Sequence, residues 1–201
     1  MMSRWFDNKL ATLPVLALLG LGLGGCLGGA KPPAELLTLT PTQPVAAGTS
    51  RSASAGQTLA ILTPSVPRAV NTRRIPVYVN AITIEYLVGA TWVEEPQELF
   101  RRLLAEAVSA RTGLLVLDPN NFAAEAGTTL SGQLLQFGFD PTRMEAVVVY
   151  EAAVARSGQP LRTQRFEARQ VVTGQTAALI APALNQASNQ VAEQVAAWIG
   201  G

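Results

Sequence analysis

The chain has 201 residues, of which 48% are hydrophobic and 14% charged, with a formal net charge of +1, a size and balance that fit one ordinary domain behind a processed leader. So small a net charge gives no reason to expect a nucleic-acid or acidic-lipid partner through bulk electrostatics. Histidine is absent and cysteine occurs once, which excludes Cys/His zinc sites, any Cys-His or Ser-His-Asp nucleophilic arrangement built from this chain alone, and any intrachain disulfide.

The chain opens with Arg4 and Lys9 ahead of an apolar run from Leu10 to Leu23. That run is too short and too rich in glycine to span a bilayer comfortably, and it ends in Leu23-Gly24-Gly25-Cys26. This pattern reads as a lipoprotein signal peptide over residues 1–25. Small residues before the cysteine let an extended segment enter a peptidase site, and Cys26 becomes an acylated N-terminus. Each buried methylene of the acyl chains contributes about 0.8 kcal/mol, so attachment would hold without a transmembrane helix. The covalent lipid on Cys26 is the only non-protein group the sequence calls for, and no cofactor or metal site is expected. Leu27 stands where inner-membrane lipoproteins of this class often carry Asp, which points to the periplasmic face of the outer membrane of a Gram-negative cell.

Residues 26–57 read as the lipidated cysteine and a flexible tether, because Gly, Ala, Pro, Ser and Thr dominate and cannot bury enough apolar surface to offset ordering entropy. Leu36 to Leu39 could add a short edge strand, and Ala46 to Gln57 has the composition of a loop. The folded domain is placed at residues 58–201. Leu59 to Leu62 suits a buried strand. Ile75, Val77 and Val79 alternate with other residues, as do Ile82, Ile84 and Tyr86 after a short polar link, and the two runs predict a hairpin. Pro76 lacks a backbone donor, so its strand should lie at an edge or begin there.

Glu94, Glu95 and Pro96 announce a helix. Leu99, Phe100, Leu103, Leu104, Ala107 and Val108 recur at helical spacing, and Thr112-Gly113 supplies the stop, with Gly113 suited to the left-handed conformation after the last turn. Leu114 to Leu117 follows as a strand, and Asp118-Pro119-Asn120-Asn121 turns the chain. Thr128 to Phe139 and Met144 to Arg156 predict two long strands, the first with a bulge where its apolar phase changes between Leu134 and Leu135. A further strand covers Leu161 to Val172. From about Gln175, Ile180, Leu184, Ala187, Val191, Val195 and Trp198 form the stripe of a closing helix, while Asn185, Asn189, Gln190 and Glu193 stay off it. The fold class is α+β: a mainly antiparallel sheet with two amphipathic helices packed on one face.

Groups that could carry chemistry are few. Glu94 and Glu95 diverge at a helix start and are accounted for by the helix dipole, and Glu145 and Glu151 alternate outward on a strand. The densest basic pairs, Arg73-Arg74 and Arg101-Arg102, are read as solvated faces in preference to a phosphate or headgroup contact. Tyr86 and Trp92 leave two readings open, a core plug or an anchor for a partner.

The order Val66-Pro67, Val70, Ile75, Val77, Asn80, Ile82, Tyr86, Trp92-Val93-Glu94 and the helix Leu99 to Val108, behind a lipobox at Cys26 and ahead of a closing helix, resembles the auxiliary lipoproteins of ABC-type transport systems that work with mammalian-cell-entry (MCE) domain proteins. Thr72, Pro76 and Thr91 depart from the residues usual in that family, which puts arginine-specific contacts in doubt. The resemblance implies a non-enzymatic periplasmic component of a lipid transport system that docks an MCE-domain protein and its ABC transporter to the outer membrane, with Tyr86, Trp92 and Glu94 as the partner-contact residues. It also makes a homo-oligomer plausible, because the partners are ring-shaped. Two other roles are a carrier that holds lipid between sheet and helices and a structural lipoprotein assisting another envelope complex.

Overall fold

The computed structural model describes residues 35–118 and 126–201. The leader, Cys26, the start of the expected tether and the turn at 119–121 lie outside the described residues. In chain order the elements are β1 (Leu36–Leu37), β2 (Thr58–Ile61), β3 (Pro76–Tyr78), β4 (Ile84–Tyr86), β5 (Thr91–Trp92), α1 (Pro96–Arg111), β6 (Leu115–Leu117), β7 (Thr128–Asp140), β8 (Glu145–Arg156), β9 (Arg162–Val171) and α2 (Ala177–Gly200). All of them fall within one compact unit.

Side-chain alternation is longest in β7, β8 and β9, which form an antiparallel meander. On its other edge β7 takes two partners, both parallel: β2 along Thr128–Leu130 and β3 at Phe139. Beyond β2 lies β6, parallel to it, and beyond β3 lies β4, antiparallel. The sheet is therefore mixed, with its longest pairings antiparallel. The register of β7 against β8 shifts between Leu134 and Gln136, so the bulge falls where the apolar phase changes. Pro76 begins β3, where its missing N–H does no harm, although the strand is interior.

Both helices cover the same sheet face. Ala146, Val148, Tyr150, Ala152 and Val154 point from β8 into the core, where they meet Leu99, Phe100, Leu103 and Leu104 of α1 and Ile180, Leu184, Val191 and Val195 of α2. The opposite face carries a lattice of charge. Arg169 pairs with Glu145 at 3.4 Å and also with Glu167, and Arg165 pairs with Glu151. Glu145 and Glu151, read as solvated, are thus ion-paired, and Val147 beside them is only 1% exposed.

Helix α1 starts as its sequence directs, with Pro96 in the first turn after the extended Glu95. Its end differs from expectation. Gly113 is not in the left-handed region; instead Thr112 stays extended and donates both its amide (2.9 Å) and its hydroxyl (2.8 Å) to the Val108 carbonyl. That double capping lets the chain leave directly into β6. In α2, Pro182 sits in the second turn, where it removes a single main-chain donor.

Two glycines are demanded by the close approach of a backbone carbonyl, of Glu151 at Gly132 and of Pro76 at Gly138, with a tyrosine beside each. A Cβ at Gly132 would fall 2.6 Å from the Tyr150 hydroxyl oxygen and against the Glu151 carbonyl, and one at Gly138 would fall 2.9 Å from the Tyr78 ring. Tyr150 is fully buried, packs edge-on to Phe100 with centroids 5.2 Å apart, and donates its hydroxyl to Ser131 O at 3.1 Å.

Gly132→Ala should therefore force a shift of Tyr150 or of the strand and lower stability by about 1–3 kcal/mol, read as a lower urea midpoint with an unchanged m-value. Burial raises the Tyr150 phenol pKa. A folded-state value above the unfolded one means that the contribution is complete below about pH 10 and is lost as pH rises toward the folded value. Tyr150→Phe, which costs about 1 kcal/mol at neutral pH through the lost hydrogen bond, should show a shallower decline of stability above pH 10 than the parent chain.

Candidate functional site

The region between the hairpin and α1 carries the residues named for partner contact, and the structure separates them. Trp92 is 1% exposed and lies against Phe137 with centroids 5.3 Å apart. Of the two readings open for it, its burial supports the core plug, and its indole offers no surface to a partner. Its Nε1–H has no acceptor among the described residues. Tyr86 closes β4: its hydroxyl donates to Ala69 O at 3.3 Å, and Arg74 lies over its ring at 4.5 Å from the centroid. Glu94 is at the surface just before α1, where the Arg102 guanidinium bonded to it lowers its carboxyl pKa. Tyr86 and Glu94 are thus partly exposed, whereas Trp92, between them in the chain, is buried.

Among the described residues β4 is a free edge, with no strand paired on its outer side. Glu85 faces Val77 in register and Leu87 N bonds Ile75 O, so the main-chain groups of Ile84 and Tyr86 point away from β3. The hairpin tip is held by Asn80, whose side-chain oxygen accepts the Ile82 amide at 3.0 Å. Ile82 is 95% exposed and Ile84 44%. Behind them a depression of about 300 Å³ is lined by Ala69, Tyr78, Ala81, Ile84 and Leu135. A much longer free edge, β9, presents Arg162, Arg165, Glu167 and Arg169, the charged dressing that discourages strand addition. β4 has only Glu85 for that purpose.

A second feature was legible only at its start, where the edge strand expected within Leu36 to Leu39 is present as β1. The expectation of a tether as far as Gln57 meets an ordered strap instead. Leu36 and Leu37 pair with Thr91 and Trp92 in β5, and Leu37 and Leu39 pack on the core. The strap then crosses both helices. The amide of Thr40 donates to Asn185 Oδ1 and that of Thr42 to Asn189 Oδ1, both at 2.8 Å; Asn189 Nδ2 returns a bond to Thr40 O at 2.9 Å, and the amide of Val45 donates to Glu106 at 3.1 Å. Asn185, Asn189 and Glu193 recur every four residues on α2, so they form one row. Their regular spacing was the available signal; their polarity suggested solvent.

The space between sheet and helices is filled by Phe100, Phe137, Tyr150, Leu104, Leu184 and Val191, each essentially inaccessible. No helix among the described residues is long and apolar enough to cross a membrane, and no cluster of ligating side chains there could hold a metal ion.

A family model described as an ABC-type transport auxiliary lipoprotein component matches residues 37–196. Its start coincides with the strap rather than with β2. No curated protein matches the sequence significantly. Among solved structures, an uncharacterized protein superposes with a TM-score of 0.64 at 15% identity, covering 82% of this chain and 99% of its own. A Xanthomonas campestris protein of the DUF330 family gives 0.63 at 19% identity, with 84% of this chain and 92% of its own covered. A hypothetical protein from Chlamydia trachomatis gives 0.50 at 8% identity, with 72% and 95% covered. At these identities the likeness is one of fold.

Asn189→Ala leaves the Thr42 amide and the Thr40 carbonyl without their partner. A loss of about 1–3 kcal/mol is expected, with hydrogen exchange accelerated at Thr40 and Thr42 ahead of the β7 and β8 amides; uniform acceleration throughout the domain would show that the strap does not open separately.

Proposed function

Because the chain belongs to the family of ABC-type transport auxiliary lipoprotein components, we propose that it is a non-enzymatic periplasmic lipoprotein of an MCE/ABC-type lipid transport system, docking that machinery to the outer membrane. Cys26 carries the diacylglycerol, and the partner is an MCE-domain protein associated with the ABC transporter. Self-assembly of the lipoprotein into a ring would match a ring-shaped partner.

The observation that carries the docking role is the undefended β4 edge. Outward main-chain groups at Ile84 and Tyr86, with Ile82 and Ile84 exposed beside a depression, offer what strand addition requires: hydrogen bonds for affinity and a recess for an apolar side chain. Tyr86 belongs to this edge, and Glu94, just before α1, would extend the contact. The filled interior between helices and sheet supports docking over the carrier role, because an acyl chain seated there would have to displace packed side chains at a cost of several kcal/mol.

The test is a crosslinked pull-down of the full-length lipoprotein from its own membranes, in mild detergent, with mass spectrometry of proteins and lipids. Recovery of an MCE-domain protein with transporter subunits is the expected result. Ile82→Asp combined with Ile84→Asp should reduce recovery about 30-fold, the scale of a single interface hot spot, while circular dichroism stays unchanged. Stoichiometric lipid without a protein partner would replace docking by the carrier role, and an unrelated envelope complex would replace it by an assembly role.

A further inference from the structure

At Leu36 the chain is parallel to β5, with Leu36 opposite Thr91, so the described chain begins, at Glu35, on the side of Ala90, Gly89 and Val88. On the other edge of β5 the Trp92 amide donates to Arg73 O at 2.8 Å. Two strand spacings, about 10 Å, thus separate the exit from the Arg73 backbone. Ten peptide steps link Cys26 to Leu36, which at full extension reach about 35 Å and as a coil about half that.

The side chains around this exit have a shared character. Leu36 is 58% exposed and Val88 85%, and Gly89 at φ 86° turns the chain so that Val88 projects. Arg73, together with Arg68 further along the same loop, has no acceptor for its guanidinium among the described residues, and Arg74 lies over Tyr86. Elsewhere Arg101, Arg102, Arg111, Arg143, Arg165 and Arg169 are ion-paired, Arg51 and Arg156 donate to main-chain carbonyls, and Arg162 lies over the Trp198 ring. Glu85 alternates to the face of β4 opposite Tyr86. Exposed guanidinium groups on the loop bonded to one edge of β5, together with the exposed aliphatic side chains of Leu36 and Val88 and outnumbering the one exposed carboxylate at the exit, that of Glu35, form the combination that an anionic bilayer surface recognises.

We propose that this corner, built from Leu36, Arg73, Arg74 and Val88, is a lipid-contact surface resting on the anionic headgroups of the membrane that holds the anchor. It rests on the assignment of Cys26 as the acylated residue. Contact here fixes the orientation of the domain, so that the β4 hairpin tip with Ile82, at the far end of that strand from Val88, extends away from the exit and toward a protein partner. Arg73-Arg74, read from the sequence as a solvated face, thereby acquires a headgroup role, even though the net charge of the whole chain is close to zero.

The full-length lipidated protein tests this. Cys26 is the sole cysteine and is unreactive once acylated, so Val88→Cys and, as a control on the opposite sheet edge, Val171→Cys each give a single site for an environment-sensitive fluorophore. The proteins are reconstituted in vesicles of phosphatidylethanolamine and phosphatidylglycerol containing a headgroup-spin-labelled lipid. Quenching at position 88 is expected to exceed that at 171 several-fold. The contact equilibrium should fall about fivefold for each of Arg73→Gln and Arg74→Gln, recover with Lys at both positions, and weaken in phosphatidylcholine alone. Equal quenching at the two positions in vesicles that float with the protein would overturn the lipid contact while leaving the anchor intact. A protein that fails to float and whose Cys26 reacts with maleimide would overturn the anchor and this surface with it. Protection of position 88 only when an MCE-domain protein is added would assign the corner to that partner instead.

Discussion

The fold depends on one strand having to satisfy two partners along a single edge. β7 pairs with β8 over its whole length, but on its other side it must receive β2 near its start and β3 near its end. The bulge after Leu134 falls between these two attachments, and the chain spans the gap with an isolated bridge from Ser65 to Gln133. A bulge adds local twist, so the two short strands attach at different orientations. β2 then carries β6 under α1, and β3 carries the hairpin outward. Because β3 shields β7 from solvent, the free edge of that half of the sheet is displaced onto β4, where it is exposed and weakly charged.

The packing of the helical layer follows from the same frame. With β8 presenting Tyr150 toward the helices, Gly132 must be bare of a side chain, and Phe100 meets the phenol ring edge-on. The two helices then seal the face with aliphatic side chains. What remains for function is peripheral: an edge, a hairpin tip and the segment that joins the domain to its anchor. This is the expected place for recognition on a rigid scaffold.

Those parts of the fold that arise from local rules were legible in the residues. Pro96 after two acidic residues fixed the start of α1, strict alternation fixed β8, and the change of apolar phase in β7 marked the bulge. The parts that escaped depend on partners distant in sequence. Thr40 and Asn185 meet across 145 positions, and nothing in a run of Pro, Thr and Gln announces that two asparagines on the final helix will bind its backbone. Gly113 was misread because a glycine after a helix usually marks a left-handed cap, whereas Thr112 had already satisfied the last carbonyl. Trp92 was ambiguous for a different reason: an indole suits a core and an interface equally well, and only the presence of Phe137 beside it decides. Tyr86 and Glu94 were identifiable as residues near a strand end and a helix start, but the exposure of Ile82 and Ile84 at the β4 edge follows from the sheet order, which is not a local property.

The strap has a mechanical meaning. In the docking role proposed above, the lipoprotein would be held at one end by its acyl chains and at the other by a large assembly, a link in tension, and the direction in which force enters would determine what yields. A pull on Leu36 along the axis of the parallel β1–β5 pair would be passed to the side-chain row of α2 and to Glu106 of α1. Bonds arranged across such a line are loaded together in shear rather than peeled one after another. The load would therefore enter through the helical layer and the rim of the core around Trp92, and the β7–β8–β9 meander, on which the rest of the packing depends, would lie outside its first path.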